Sequence, residues 1–230
     1  MQRLLFAIVQ GPPVSWRPPR SALGMIETRA FDELVVVSSQ LERIPEPNTR
    51  TRALHHDVVA ATMEADGVLP FRFGTALDAG ELEGWLAAHA ARIRAALGQL
   101  RGRVEMNVKL LRLTCGHGRA RACPACAAGP SGVDTLRDLA DHLIERASVA
   151  RWRFRLAGHG SNLAGSLAFL VPRNEVDALL ARIAPVVSRA GSIAVVPTGP
   201  WPAYSFAPPL DRPPVARVAP LDRREHPITG

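Results

Sequence analysis

The 230-residue chain is 47% hydrophobic and 21% charged, with a formal net charge of +7 and a mean hydropathy near zero. This fits a globular protein of one large or two small domains, and no run approaches the roughly 18 apolar residues of a membrane-spanning helix. The positive balance is arginine spread along the chain, with Lys109 the only lysine and no block of like charges; it reads as compositional bias that still allows an acidic or anionic partner surface.

The opening residues place Arg3 before the apolar run Leu4 to Val9. The run is shorter than a signal-peptide core, lacks a small-residue cleavage site and stops at Gln10 and Gly11-Pro12-Pro13, so a first strand is expected, in a cytosolic protein with reduced cysteines unless they bind metal. The proline-rich stretch from Pro12 to Arg20 reads as a loop, and strands follow around Leu23 to Thr28 and Glu33 to Ser39. Asn48 or Thr49 can cap a helix that runs to about Ala65, with Leu54, Val58, Ala61 and Ala65 on one face. His55 and His56 fall off that face, and beside Asp57 they raise acid–base work as an alternative to a partly packed polar face.

The apolar stretch Val68 to Thr75 is read as a buried central strand, irregular at Pro70 or pairing only from Phe71. Arg72 faces away from Phe71 and Phe73, as a rim arginine or a partner contact. Asp78 and Glu81 match a capping box for the next helix, which carries Leu82, Leu86, Ile93, Leu97 and Leu100 on one stripe. Arg103 to Leu110 alternates as a strand with one dry and one wet face. A helix over Asp134 to Ala147, strands near Arg151 to Ala157 and Leu163 to Val171, a helix begun by Asn174 and bent or shortened at Pro185, and a strand over Ser192 to Pro197 complete the pattern. The fold class predicted is α+β: two small ferredoxin-like α/β sandwich domains with a proline-rich C-terminal tail.

Three segments together are specific: His55 to Leu77, Gly102 to Leu110, and Thr198 to Phe206. They resemble the gas vesicle protein F and L family (GvpF/GvpL), over roughly residues 1 to 113 and 133 to 207. The resemblance implies a cytoplasmic, vesicle-associated accessory or minor structural protein of two small α/β domains, without catalytic chemistry. It implies partners in the small hydrophobic shell protein of GvpA type and in other gas vesicle accessory proteins, and neither nucleic acid nor membrane. The implied role is to limit shell-protein aggregation and help begin vesicle assembly. The residues agree in one respect: no phosphate loop, triad signature or carboxylate pair stands out.

The domains expected are 1–113 and 133–198, separated by a Cys/His-containing insert at 114–132 and followed by a segment at 199–230 that packs to about residue 210 and is disordered beyond. The insert departs from the family pattern. It holds Cys115, His117, Cys123 and Cys126 in a C-x-H-x5-C-x2-C array, read either as one structural zinc site or as a flexible loop with reduced thiols; no other cofactor is expected. A zinc-stabilised nucleic-acid-binding module is the alternative function, and it would need a continuous arginine stripe and exposed aromatics. No catalytic residue is assigned. The partner-binding candidates are Arg72, Trp201, Tyr204 and Phe206, the last three held in an extended segment by Pro200 and Pro202. That segment either folds back across the two domains or contacts the shell protein.

Overall fold

The uninterrupted apolar run at the start of the chain becomes the middle of β1 (Gln2–Gln10), whose residues from Arg3 to Val9 are all buried. A strand apolar at every position must be covered on both faces, and β1 is. The computed structural model describes residues 1–11, 21–113, 133–157, 162–187 and 193–210. In the first sheet β1 is central, flanked by β3 (Leu34–Leu41) and β2 (Ile26–Phe31) on one side and by β4 (Gly67–Pro70) and β5 (Ala76–Asp78) on the other, with every pairing antiparallel.

Two helices cover opposite faces of this sheet. Helix α1 (Thr49–Ala61), capped by Asn48 in a reciprocal box with Thr51, packs Val58 and Val59 with Leu4, Phe6, Ala7 and Val9. Helix α2 (Leu82–Leu100) packs Leu86, Ile93 and Leu97 with Leu5 and Ile8. Leu5 and Ile8 share a face although three residues apart, because the register with β3 shifts between Leu5 and Ala7 and the extra residue breaks the two-residue alternation. The ferredoxin-like arrangement, in which two helices share one face of a sheet, therefore does not describe this half. An amphipathic stripe says which side of a helix is dry, and is silent about which face of a sheet dries it.

The second sheet has the order β7-β8-β6-β9 and is also antiparallel. Its elements are β6 (Arg103–Arg112), α3 (Val133–Ala147), β7 (Trp152–Leu156), β8 (Leu163–Pro172), α4 (Val176–Val187) and β9 (Ile193–Trp201). Here both helices share a face: Leu136, Ala140 and Leu143 of α3 and Leu179 and Ile183 of α4 meet Met106, Val108, Leu167 and Phe169. Pro185 stands inside α4 near its end, where few turns remain to lose a donor. The strand β6, placed with the first domain by the boundary at 113, lies inside the second sheet between β8 and β9. Its alternation fixes a half-buried strand and says nothing about which sheet receives it.

The stretch Val68 to Thr75 also differs from its sequence reading. Ladder pairing with β1 runs to Pro70, Phe71 N–H still donates to the Phe6 carbonyl and the Thr75 carbonyl accepts from Leu5 N–H, residues 72–74 turn away, and β5 resumes the ladder at Ala76, so the segment forms a broken outer strand. Pro70 is tolerated at this edge because it lacks only the ladder donor that an outer strand can spare. Gly74 takes φ +85° at the turn. The Asp78–Glu81 box does not form: Asp78 ends β5, Glu81 is the N-cap of α2, and its side chain makes no capping bond.

Candidate functional site

The end of β9 runs into a strap of chain that returns over both sheets. Gly199 makes the first bend at φ +126°, with room for no side chain, since a Cβ there would lie 2.8 Å from Met106 Sδ and 2.9 Å from the Glu105 carbonyl oxygen. Ser205 then fastens the strap to β6: its backbone N–H donates to Glu105 Oε2 at 2.7 Å and its hydroxyl to Oε1 at 2.8 Å. Asn107 Nδ2 adds a third bond to Oε1 at 3.0 Å, so the buried Glu105 carboxylate is well supplied with donors.

Phe206 is the anchor of this strap. It is 6% exposed and joins the core made by the first sheet and α2, which also takes in Ala168 and Leu170 of β8. The guanidinium carbons of Arg151 and Arg153 lie 5.9 and 5.6 Å from its ring centroid. Trp201 stays at the surface, 36% exposed. Its indole packs on His56 of α1 at a centroid distance of 5.2 Å and its Nε1–H donates to Thr198 Oγ1 at 3.3 Å. Tyr204 is half-buried, 6.0 Å from the His56 ring; burial raises its phenol pKa, the Glu105 charge raises it further, and the hydroxyl stays protonated.

Beneath the strap lies a cleft of about 620 Å³, bounded by the broken outer strand of the first sheet, by β7 and by strap residues 204–210. Arg72, exposed on the loop between β4 and β5, lines it together with Tyr204, Arg153 and Arg155. Leu69, Phe71, Leu77, Trp85 and Leu210 give it an apolar lining, and among the described residues no carboxylate lines it. Arg72 and Tyr204 are thus brought together at one cleft, with Phe206 under its β7 wall and Trp201 outside it. Sequence reasoning did not single out Arg153, Arg155 or Glu105. The alternation of Trp152 to Leu156 carried a signal for the two arginines, because residues two apart on a strand share a face.

His55 is buried and occupied structurally. Its Nε2 lies 3.2 Å from the Leu5 carbonyl oxygen, and its ring stacks on Phe6 and meets Phe73 edge-on. Burial lowers its pKa to about 4 against the opposing hydrogen bond to Leu5, with the His56 charge a smaller lowering influence. No acid–base pair is built from His55 and His56. Among the described residues no group of three or more His, Cys, Asp or Glu could hold a metal ion, and no helix is long and apolar enough to cross a membrane. Cys115, His117, Cys123 and Cys126 lie outside the described residues.

The described residues form two antiparallel sheets with four α-helices, and this overall fold is shared with solved gas vesicle proteins. GvpF of Anabaena superposes with a TM-score of 0.74 at 14% identity, covering 92% of this chain and 98% of that one. GvpF of Microcystis aeruginosa gives 0.66 at 14% identity, covering 90% and 99%. At the sequence level the chain is 26% identical over 184 residues to gas vesicle protein F2 of Halobacterium salinarum, covering 78% of each protein. It is 28% identical over 168 residues to gas vesicle protein F of Haloferax mediterranei, covering 70% of this chain and 71% of the relative. The profile of the family described as "Gas vesicle synthesis protein GvpL/GvpF" matches residues 2–116 and 132–208, leaving out most of the Cys/His insert. The chain belongs to the GvpL/GvpF family of gas vesicle proteins.

Proposed function

We propose that this chain is an accessory or minor structural protein of gas vesicle assembly, working in the cytoplasm and at the vesicle. It binds the small hydrophobic shell protein of GvpA type, limits its aggregation and helps nucleate the vesicle, alongside other accessory proteins and without a catalytic step. The observation that carries this reading is the family match, which runs through both sheets and the strap. The cleft supports it, since an apolar lining rimmed by arginines suits a protein partner better than a reaction centre. The test is to co-express the chain with the shell protein, pull it down, and follow the turbidity of shell protein diluted from denaturant. Co-purification and slower precipitation are expected. A shell protein that neither co-purifies nor precipitates more slowly would remove this function.

A further inference from the structure

We infer that the cleft under the strap is a docking site for an extended acidic segment of a protein partner, one that carries carboxylates on alternate residues and an apolar anchor. The inference rests on the reading that the chain binds a protein, and it adds the place and the chemistry of the contact. Its first ground is charge. Several arginines elsewhere meet carboxylates, among them Arg29 with Glu83, Arg94 with Asp32 and Glu33, and Arg101 with Asp66. Arg72, Arg153 and Arg155 converge on one cleft without any carboxylate in its lining, and none of the three forms an ion pair among the described residues. Three guanidinium groups facing an apolar lining leave a site complementary to negative charge.

The second ground is spacing and direction. Arg153 and Arg155 stand two residues apart on β7, so they share a face at a separation of about 7 Å along the strand. Carboxylates two residues apart on an extended chain repeat at the same distance. Among the described residues the ladder also leaves β7 with an open side. Leu170 N–H donates to the Arg151 carbonyl and Ala157 N–H to the Ala164 carbonyl, so the odd-numbered residues turn to β8. The backbone groups of Trp152, Phe154 and Leu156 therefore point away from the sheet, at an outer strand that a second extended chain can join.

The full chain is titrated into a fluorescein-labelled peptide of alternating glutamate and leucine, and into the same peptide with glutamine for glutamate. The glutamate peptide is expected to bind with an affinity that falls as salt is raised to about 0.5 M. The glutamine peptide should bind at least about tenfold more weakly, as should the glutamate peptide to an R72Q/R155Q chain with unchanged melting temperature. Trp201→Ala should leave peptide affinity unaltered. Equal affinity for both peptides, unweakened binding to the arginine variant, no binding at all, or displacement of the peptide by an equivalent concentration of citrate would each overturn the inference. Shell protein provides the second arm. If R72Q/R155Q loses the peptide yet still captures shell protein, the cleft is not where that partner docks, and the proposed function survives without it. If wild-type chain binds the glutamate peptide but never captures shell protein, the function falls and the acidic-segment site is supported.

Discussion

The imidazole of His55 sits 2% exposed between Phe6 and Phe73, where a charged ring would lose water and gain only one carbonyl contact. Its folded pKa is lowered to about 4 from an ordinary value of 6.5, so between those values the unfolded chain holds a proton that the folded chain does not. Stability contributed by the neutral ring is complete above pH 6.5 and is lost as pH falls towards 4, by roughly 3 kcal/mol in all. Urea denaturation from pH 7 to pH 4 is expected to show this decline, and His55→Gln, which keeps a donor for Leu5 and cannot titrate, should flatten it. Parallel curves for the two proteins would mean that His55 is not the group responsible. None of this was legible locally. The helical stripe that includes Val58 leaves His55 to one side, and it is dried by Phe6 of β1 and by Phe73 of the loop between β4 and β5, both distant in the chain.

At the scale of the element, the strap shows what a short aromatic segment reveals and conceals. Pro200 and Pro202 announced an extended stretch with its aromatics presented; the chain is extended only through Trp201, turns over Tyr204 to Phe206, and runs back over both sheets. Which ring would be the anchor was not written there, because Phe206 is buried by residues of the first sheet and α2 while Trp201 stays 36% exposed beside His56 and Thr198. Glu105 was hidden for a related reason: on the wet face of an alternating strand it looked solvated, and its partner Ser205 is 100 residues away. Phe206→Ala is accordingly expected to cost about 3–5 kcal/mol by chemical denaturation, and Trp201→Ala about 1 kcal/mol or less, since its ring remains 36% exposed. Glu105→Ala strands the Ser205 donors and should cost about 1.5–3 kcal/mol. A Trp201 variant less stable than the Phe206 variant would reverse the assignment of the anchor.

Across the molecule, the described residues form three packed cores for two sheets, and one of them belongs to both halves. Leu5, Ile8, Leu69 and the stripe of α2 form one cluster with Ala168 and Leu170 of β8 and with Phe206 of the strap. The six-element pattern of the second half was readable from periodicity, yet the shared core was not, because Leu167 to Val171 of β8 is a continuous apolar run and such a run says only that both faces are covered. A shared core couples the halves, so a cavity on the second sheet's side of it should weaken both. Leu170→Ala is expected to cost about 2–5 kcal/mol. Hydrogen exchange followed by mass spectrometry should then show β1 and β6 losing protection together, in one unfolding transition whose far-UV circular dichroism and tryptophan fluorescence midpoints coincide. If β6 and β8 lose protection while β1 keeps its own, the two sheets unfold as separate units and the shared cluster does not couple them.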